Sequence, residues 1–114
     1  MLRMAAALFL GFLASGATAE DCPAIRFANG ASSGEVSGQV TDGEGRCFSF
    51  AAGAGQTARL QLTGSENACF SVYDVADCQT DLSFPTGART YRLIVAQLFP
   101  GPGGEAFKLK LTIR

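Results

Sequence analysis

Apolar and polar residues alternate along most of the chain after its first twenty positions. Phe107, Leu109, Leu111 and Ile113 fall on one parity, and Lys108, Lys110, Thr112 and Arg114 on the other. Successive side chains of a strand point to opposite faces, so this is the pattern of a half-buried β-strand. Ala58, Leu60 and Leu62 alternate with Arg59, Gln61 and Thr63 in the same way. Phe48 and Phe50 alternate with Cys47 and Ser49, and Phe70 and Val72 with Ser71 and Tyr73. Tyr91, Leu93 and Val95 form another inward set, but Ile94 makes that run apolar on both sides. A strand apolar on both faces belongs in the middle of a sheet. No helical period competes anywhere in this region. The pattern predicts seven or eight short strands, near residues 24–28, 35–40, 46–52, 57–63, 68–74, 81–84, 89–98 and 106–114.

Turn chemistry separates these runs. The breaks are Asn29-Gly30, Asp42-Gly43-Glu44-Gly45, Gly53-Ala54-Gly55, Thr63-Gly64-Ser65, Pro85-Thr86-Gly87 and Pro100-Gly101-Pro102-Gly103-Gly104. Glycine reaches positive φ without a steric cost and proline pre-sets φ, so both mark turns. Strands recurring at such short, regular intervals imply a β-sandwich or a small barrel.

Residues 1–19 follow another logic. Arg3 supplies a positive start, Met4 to Leu13 an apolar run, and Ala17-Thr18-Ala19 a small-residue cleavage site before Glu20. This is the layout of a signal peptide. The apolar run is too short to span a bilayer, which takes about twenty residues. Cys22 stands three residues beyond the cut, so a lipid anchor on it is not expected. The expectation is a signal peptide over 1–19, one domain over 20–114, no membrane span after signal removal, and a periplasmic or secreted product.

Composition narrows the chemistry. The chain is 47% hydrophobic and 17% charged, a globular balance. It contains no His, which removes Ser-His-Asp and Cys-His catalysis and most zinc sites. No Gly-x-Ser-x-Gly elbow presents a serine nucleophile. Without Arg3 the chain carries eight basic and ten acidic residues, which argues against nucleic acid as partner. Asp42-Gly43-Glu44-Gly45 lacks the Lys and following helix of a phosphate loop, and its charge repels phosphate. An exported chain with Cys22, Cys47, Cys69 and Cys78 is expected to form disulfides, because the spacing is not that of a metal site. Three pairings are open. Cys69–Cys78 is favoured, because the segment between them can run out along a strand and return. That choice leaves Cys22–Cys47, tying the N-terminal arm to an early strand.

The order of several short motifs resembles a known family. The motifs are Ile25-Arg26-Phe27, Ser37-Gly38-Gln39-Val40, Cys47-Phe48-Ser49-Phe50, Ala52-Gly53-Ala54-Gly55-Gln56, Leu60-Gln61-Leu62 and Asn67-Ala68-Cys69-Phe70. They continue through Phe84-Pro85-Thr86-Gly87 and Thr90-Tyr91-Arg92-Leu93-Ile94-Val95 to Phe107-Lys108-Leu109-Lys110-Leu111. This order resembles the bacterial pre-peptidase C-terminal domain, including the related periplasmic inhibitors of goose-type lysozyme. The resemblance implies a single jelly-roll-like antiparallel β-sandwich, and for the inhibitors it implies loops that enter the lysozyme cleft. In those relatives the loop after the Tyr-x-Leu-x-Val strand carries arginines. The corresponding segment here, Gln97 to Gly104, has no basic residue.

Three groups of residues are candidate sites. Phe99, Pro100 and Pro102 lie in a loop that reads either as a rigid finger for a partner or as a long hairpin connection with Phe99 tucked over the core rim. Lys108, Lys110 and Arg114, joined by Arg92, read as a basic stripe for an acidic partner or an anionic cell-wall polymer, or as charges that discourage edge-to-edge association. Asp74, Asp77 and Asp81 are weak calcium candidates. They do not follow the EF-hand order, and a small sandwich offers no cleft for a glycosidase acid pair. No catalytic residue, cofactor or assigned metal is expected. The chain thus reads as an exported non-enzymatic binding module for protein or envelope carbohydrate. The alternatives are a goose-type lysozyme inhibitor and a purely structural envelope protein.

Overall fold

The computed structural model describes residues 22–114. The expected signal peptide and its cleavage point lie outside them. Eight strands follow in order: β1 (Ser33–Val40), β2 (Arg46–Ala52), β3 (Thr57–Thr63), β4 (Ala68–Val72), β5 (Ala76–Gln79), β6 (Asp81–Pro85), β7 (Arg89–Gln97) and β8 (Glu105–Ile113). They form two four-stranded sheets, ordered β1-β8-β3-β6 and β2-β7-β4-β5, with antiparallel neighbours throughout. β1 lies beside β8, β2 beside β7, β3 beside β6 and β4 beside β5. A chain doubled into one long hairpin and rolled into two layers gives this nesting, which is the jelly roll.

The alternation decides which side chains meet. Phe48, Phe50, Phe70, Val72, Tyr91, Leu93 and Val95 face Ala58, Leu60, Leu62, Phe84, Phe107, Leu109 and Leu111 across the interlayer space, all buried. Phe50 stacks on Tyr91 at 5.3 Å, and Phe84 meets Tyr91 edge-on at 5.3 Å. Each large apolar side chain so buried contributes about 1.5–3 kcal/mol of transfer free energy. β7 sits between β2 and β4, as its apolar character on both faces predicts.

Two expectations about elements need correction. Residues 24–28 do not form a strand. Only Ala24 makes a bridge, parallel to Ser49. The Ile25 amide donates to the Ser49 carbonyl (2.9 Å), and the Ser49 amide to the Pro23 carbonyl (3.0 Å). Ile25 is buried in the core, and the arm then crosses β1 at Gly34, where an added Cβ would collide with the Arg26 carbonyl oxygen. β1 and β2 are edges of different sheets on the same flank, so the arm closes the seam between the layers there. The second correction is β5. The strand expected over 68–74 stops at Val72, because Tyr73–Val75 turn, with Asp74 at φ 69°. β5 returns along β4 with a register irregularity between Phe70 and Val72, which its short, mostly exposed sequence does not signal.

The disulfides are Cys22–Cys47 and Cys69–Cys78, the pairing favoured above. The first fastens the arm to β2 and the second joins β4 to β5. Cys78 takes φ 45°, and its amide donates to Ser71 Oγ (2.9 Å).

Candidate functional site

The segment between β7 and β8 is held open by two side-chain amides. The Leu98 amide donates to the Asn67 carbonyl (3.0 Å) and the Phe99 amide to Asn67 Oδ1 (2.8 Å). Asn67 Nδ2 donates back to the Phe99 carbonyl (3.0 Å) and lies 3.3 Å from Glu105 Oε2. Ser65 Oγ donates to Glu105 Oε1 (2.7 Å) and accepts from the Asn67 amide (2.9 Å). On the other limb, Gln97 Nε2 donates to the Gly103 carbonyl (3.0 Å), and Gln97 Oε1 accepts from the Gly101 amide (3.3 Å). Each such bond contributes about 0.5–1.5 kcal/mol net. Pro100 and Pro102 restrict the backbone between the two clasps.

Phe99 is 77% exposed and Leu98 40%. The core-rim reading of Phe99 is thereby overturned. Asn67 turns the backbone of residue 99 toward itself, and the ring stands in solvent. Between the finger and the β1–β2 turn lies a notch of about 330 Å3, lined by Gly45, Ile94, Gln97 and Pro100 among others.

Lys108 and Lys110 are exposed on the outer face of β8, opposite Ser37 and Glu35 of β1 and Thr63 and Gln61 of β3. Arg92 does not join them. It lies on β7 in the other sheet, with its guanidinium 5.4 Å from the Tyr73 ring centre. Arg59, on β3, does share the face, but it is bound through two hydrogen bonds to Asp81 (3.1 and 2.8 Å). The hydrogen bonds from Arg59 hold the Asp81 carboxyl below its ordinary value, and Asp81 raises Arg59. Arg46 reaches over from β2 to Gly38, where a Cβ would stand 2.9 Å from its Nη1.

The structure separates the three aspartates. Asp81 is on β6, held by Arg59, whereas Asp74 is on the β4–β5 turn, 3.5 Å from Arg89 Nη2. Asp77 is exposed on β5. Among the described residues no three His, Cys, Asp or Glu side chains gather into a possible metal site. The calcium reading therefore has no geometry to support it.

No protein-family model and no curated protein matches this chain, so the pre-peptidase C-terminal likeness stands on the quoted motifs alone. Solved structures do match. The fold is that of three lysozyme inhibitors. PliG of Aeromonas hydrophila, a periplasmic inhibitor of g-type lysozyme, superposes with a TM-score of 0.68 at 22% identity, covering 82% of this chain and 96% of its own. PliG of Salmonella Typhimurium gives 0.65 at 16% identity, covering 80% and 96%. A mutant of the Escherichia coli PliG gives 0.64 at 18% identity, covering 80% and 96%.

The loop over residues 98–104 is legible in the sequence as a candidate, and what holds it is not. Asn67, Gln97, Ser65 and Glu105 were not singled out as site residues. Asn67 stood inside a quoted motif, Asn67-Ala68-Cys69-Phe70, and an Asn opening a strand was the one available signal. Nothing in the sequence says that its amide closes on residue 99, thirty-two positions away.

Proposed function

We propose that the chain is an exported, non-enzymatic inhibitor of a g-type lysozyme, acting through the finger over residues 98–104. The likeness to three inhibitors of that enzyme, each spanned almost end to end, carries this reading ahead of the unspecified binding module. The finger supplies what an inhibitory contact needs: an exposed aromatic anchor on a backbone already ordered before docking. Phe99 is the anchor, and Pro100 and Pro102 stiffen it. Export and a periplasmic or secreted location follow from the signal-like residues 1–19 and from the location of these neighbours.

The test is clearance of a peptidoglycan suspension by a goose-type lysozyme, with and without excess purified protein. Inhibition at micromolar concentration or below is expected. Phe99→Ala should weaken it by about 1–3 kcal/mol in binding, or roughly five- to more than a hundredfold, with melting unchanged. Asn67→Ala should weaken it too, by releasing the loop, and should also lower the melting temperature. Full lysozyme activity at micromolar protein overturns the inhibitor reading. Unchanged inhibition by the Phe99 variant moves the contact elsewhere.

A further inference from the structure

The β1-β8-β3-β6 sheet turns an outer face to solvent that the finger does not use. Its outward side chains are small, polar or charged, among them Ser37 and Gln39 on β1, Lys108 and Lys110 on β8, and Arg59 and Gln61 on β3. None is aromatic or a branched aliphatic. Protein interfaces draw their affinity from just such anchors at a dry centre, and this face has none to offer. Charge on it is one-sided. Among the described residues of this face, Arg59, Lys108 and Lys110, with Arg46 and Arg114 at the rim, stand against Glu35 and Asp81. Asp81 is already engaged by Arg59, and among the described residues Arg46, Lys108 and Lys110 enter no ion pair. The face is therefore positive on a molecule whose net charge is negative.

Two depressions follow one another along β8. The larger, about 680 Å3, is bordered by Ser37, Gln39, Arg46, Thr63 and Lys108, and also by Ala106 and by Phe107, whose ring is buried in the core. The smaller, about 290 Å3, is bordered by Arg59, Gln61, Ser83, Lys110 and Arg114. At roughly 3.4 Å per residue, Ala106 to Arg114 spans about 27 Å of strand. Hydroxyls and amides of β1 and β3 flank the β8 cations over that length. This is a surface that can exchange hydrogen bonds with hydroxyl groups and pair with carboxylates at intervals, without expelling much water.

We propose that this face binds an anionic linear polysaccharide, laid along β8 with its carboxylates at Lys108 and Lys110. It does not depend on the inhibitor reading, because it uses a different surface.

The test uses the purified disulfide-bonded protein and three probes: polygalacturonate, neutral dextran, and poly-glutamate of matched charge. Binding to polygalacturonate is expected, with an affinity that falls steeply with added salt. Dextran should not bind, and poly-glutamate should bind at least tenfold more weakly, lacking the hydroxyls. Lys108→Gln/Lys110→Gln should reduce polygalacturonate binding at least tenfold, with melting and lysozyme inhibition unchanged. Arg92→Gln, on the other sheet, should leave it intact. Equal binding of polygalacturonate and dextran overturns the proposal. So does poly-glutamate binding as tight as polygalacturonate, which would make acidic protein the ligand. An equal loss in the Arg92 variant overturns the placement.

Discussion

Glycines in this chain have separate tasks, and Gly34 has the tightest. The arm passes over β1 so closely that a methyl group there meets the Arg26 carbonyl and the Phe27 ring. Gly34→Ala should therefore cost about 1–3 kcal/mol, the range for overpacking, and lower the denaturation midpoint. Gly30→Ala has open space around its Cβ but a φ of 78°, so its cost is backbone strain alone. At Arg59 and Asp81 the effect is electrostatic. A carboxyl depressed in the folded state adds stability above its ordinary value of 3.8 and loses it as pH falls through the lower folded value. Both groups are exposed, so the signature is sought in titration rather than in melting. Followed by NMR against pH, the Asp81 carboxyl should titrate below the usual range and move back up in Arg59→Ala.

At the scale of elements, the two disulfides have unequal structural duties. Cys22–Cys47 holds an arm that carries one core side chain, Ile25, and shields the β2 edge. Cys69–Cys78 fastens a short edge strand that buries little. Replacing either pair by serine should cost about 2–4 kcal/mol, read by denaturant unfolding. Hydrogen exchange should separate them: the first variant loses protection at Ile25 and Ser49, the second at Cys78 and its neighbours. The motif loops also have a structural duty. The Thr86 amide donates to the Gln56 carbonyl (2.8 Å), its hydroxyl to the Gly53 carbonyl (2.7 Å), and the Gly87 amide to the Tyr91 hydroxyl (3.0 Å). The Ala-Gly-Ala-Gly-Gln and Pro-Thr-Gly signatures meet there at one end of the sandwich. They are staples between loops, which is why a resemblance built on them reports fold better than function.

For the whole molecule, the core draws on both layers. Leu60, Leu93, Leu109 and Leu111 are fully buried, and they come from both layers. Leu109→Ala, on the central strand β8, should cost about 2–5 kcal/mol, a large share of what a domain this small has. A chemical-denaturation curve would show it. Strand positions, inward residues and turn sites were legible in the sequence, because a two-residue period with glycine and proline breaks depends only on near neighbours. The central place of β7 was legible too, since Ile94 adds an apolar residue to its outer side. The arm was misread as a strand because Ile25 and Phe27 alternate correctly, and only tertiary packing decides whether an alternating segment finds ladder partners. β5 went unseen for the converse reason: its pairing comes from the Cys69–Cys78 bridge and the tight turn at Asp74. The finger's residues were visible, but the exposure of Phe99 was not. Whether that ring turns inward or outward depends on Asn67 and Gln97, whose amides reach residue 99 and the glycines of the loop only after β4, β7 and β8 have come together. Local pattern thus determined the strands and their inward faces. The long-range closure of the two layers decided the arm, the clasp, and which charged side chains share a face.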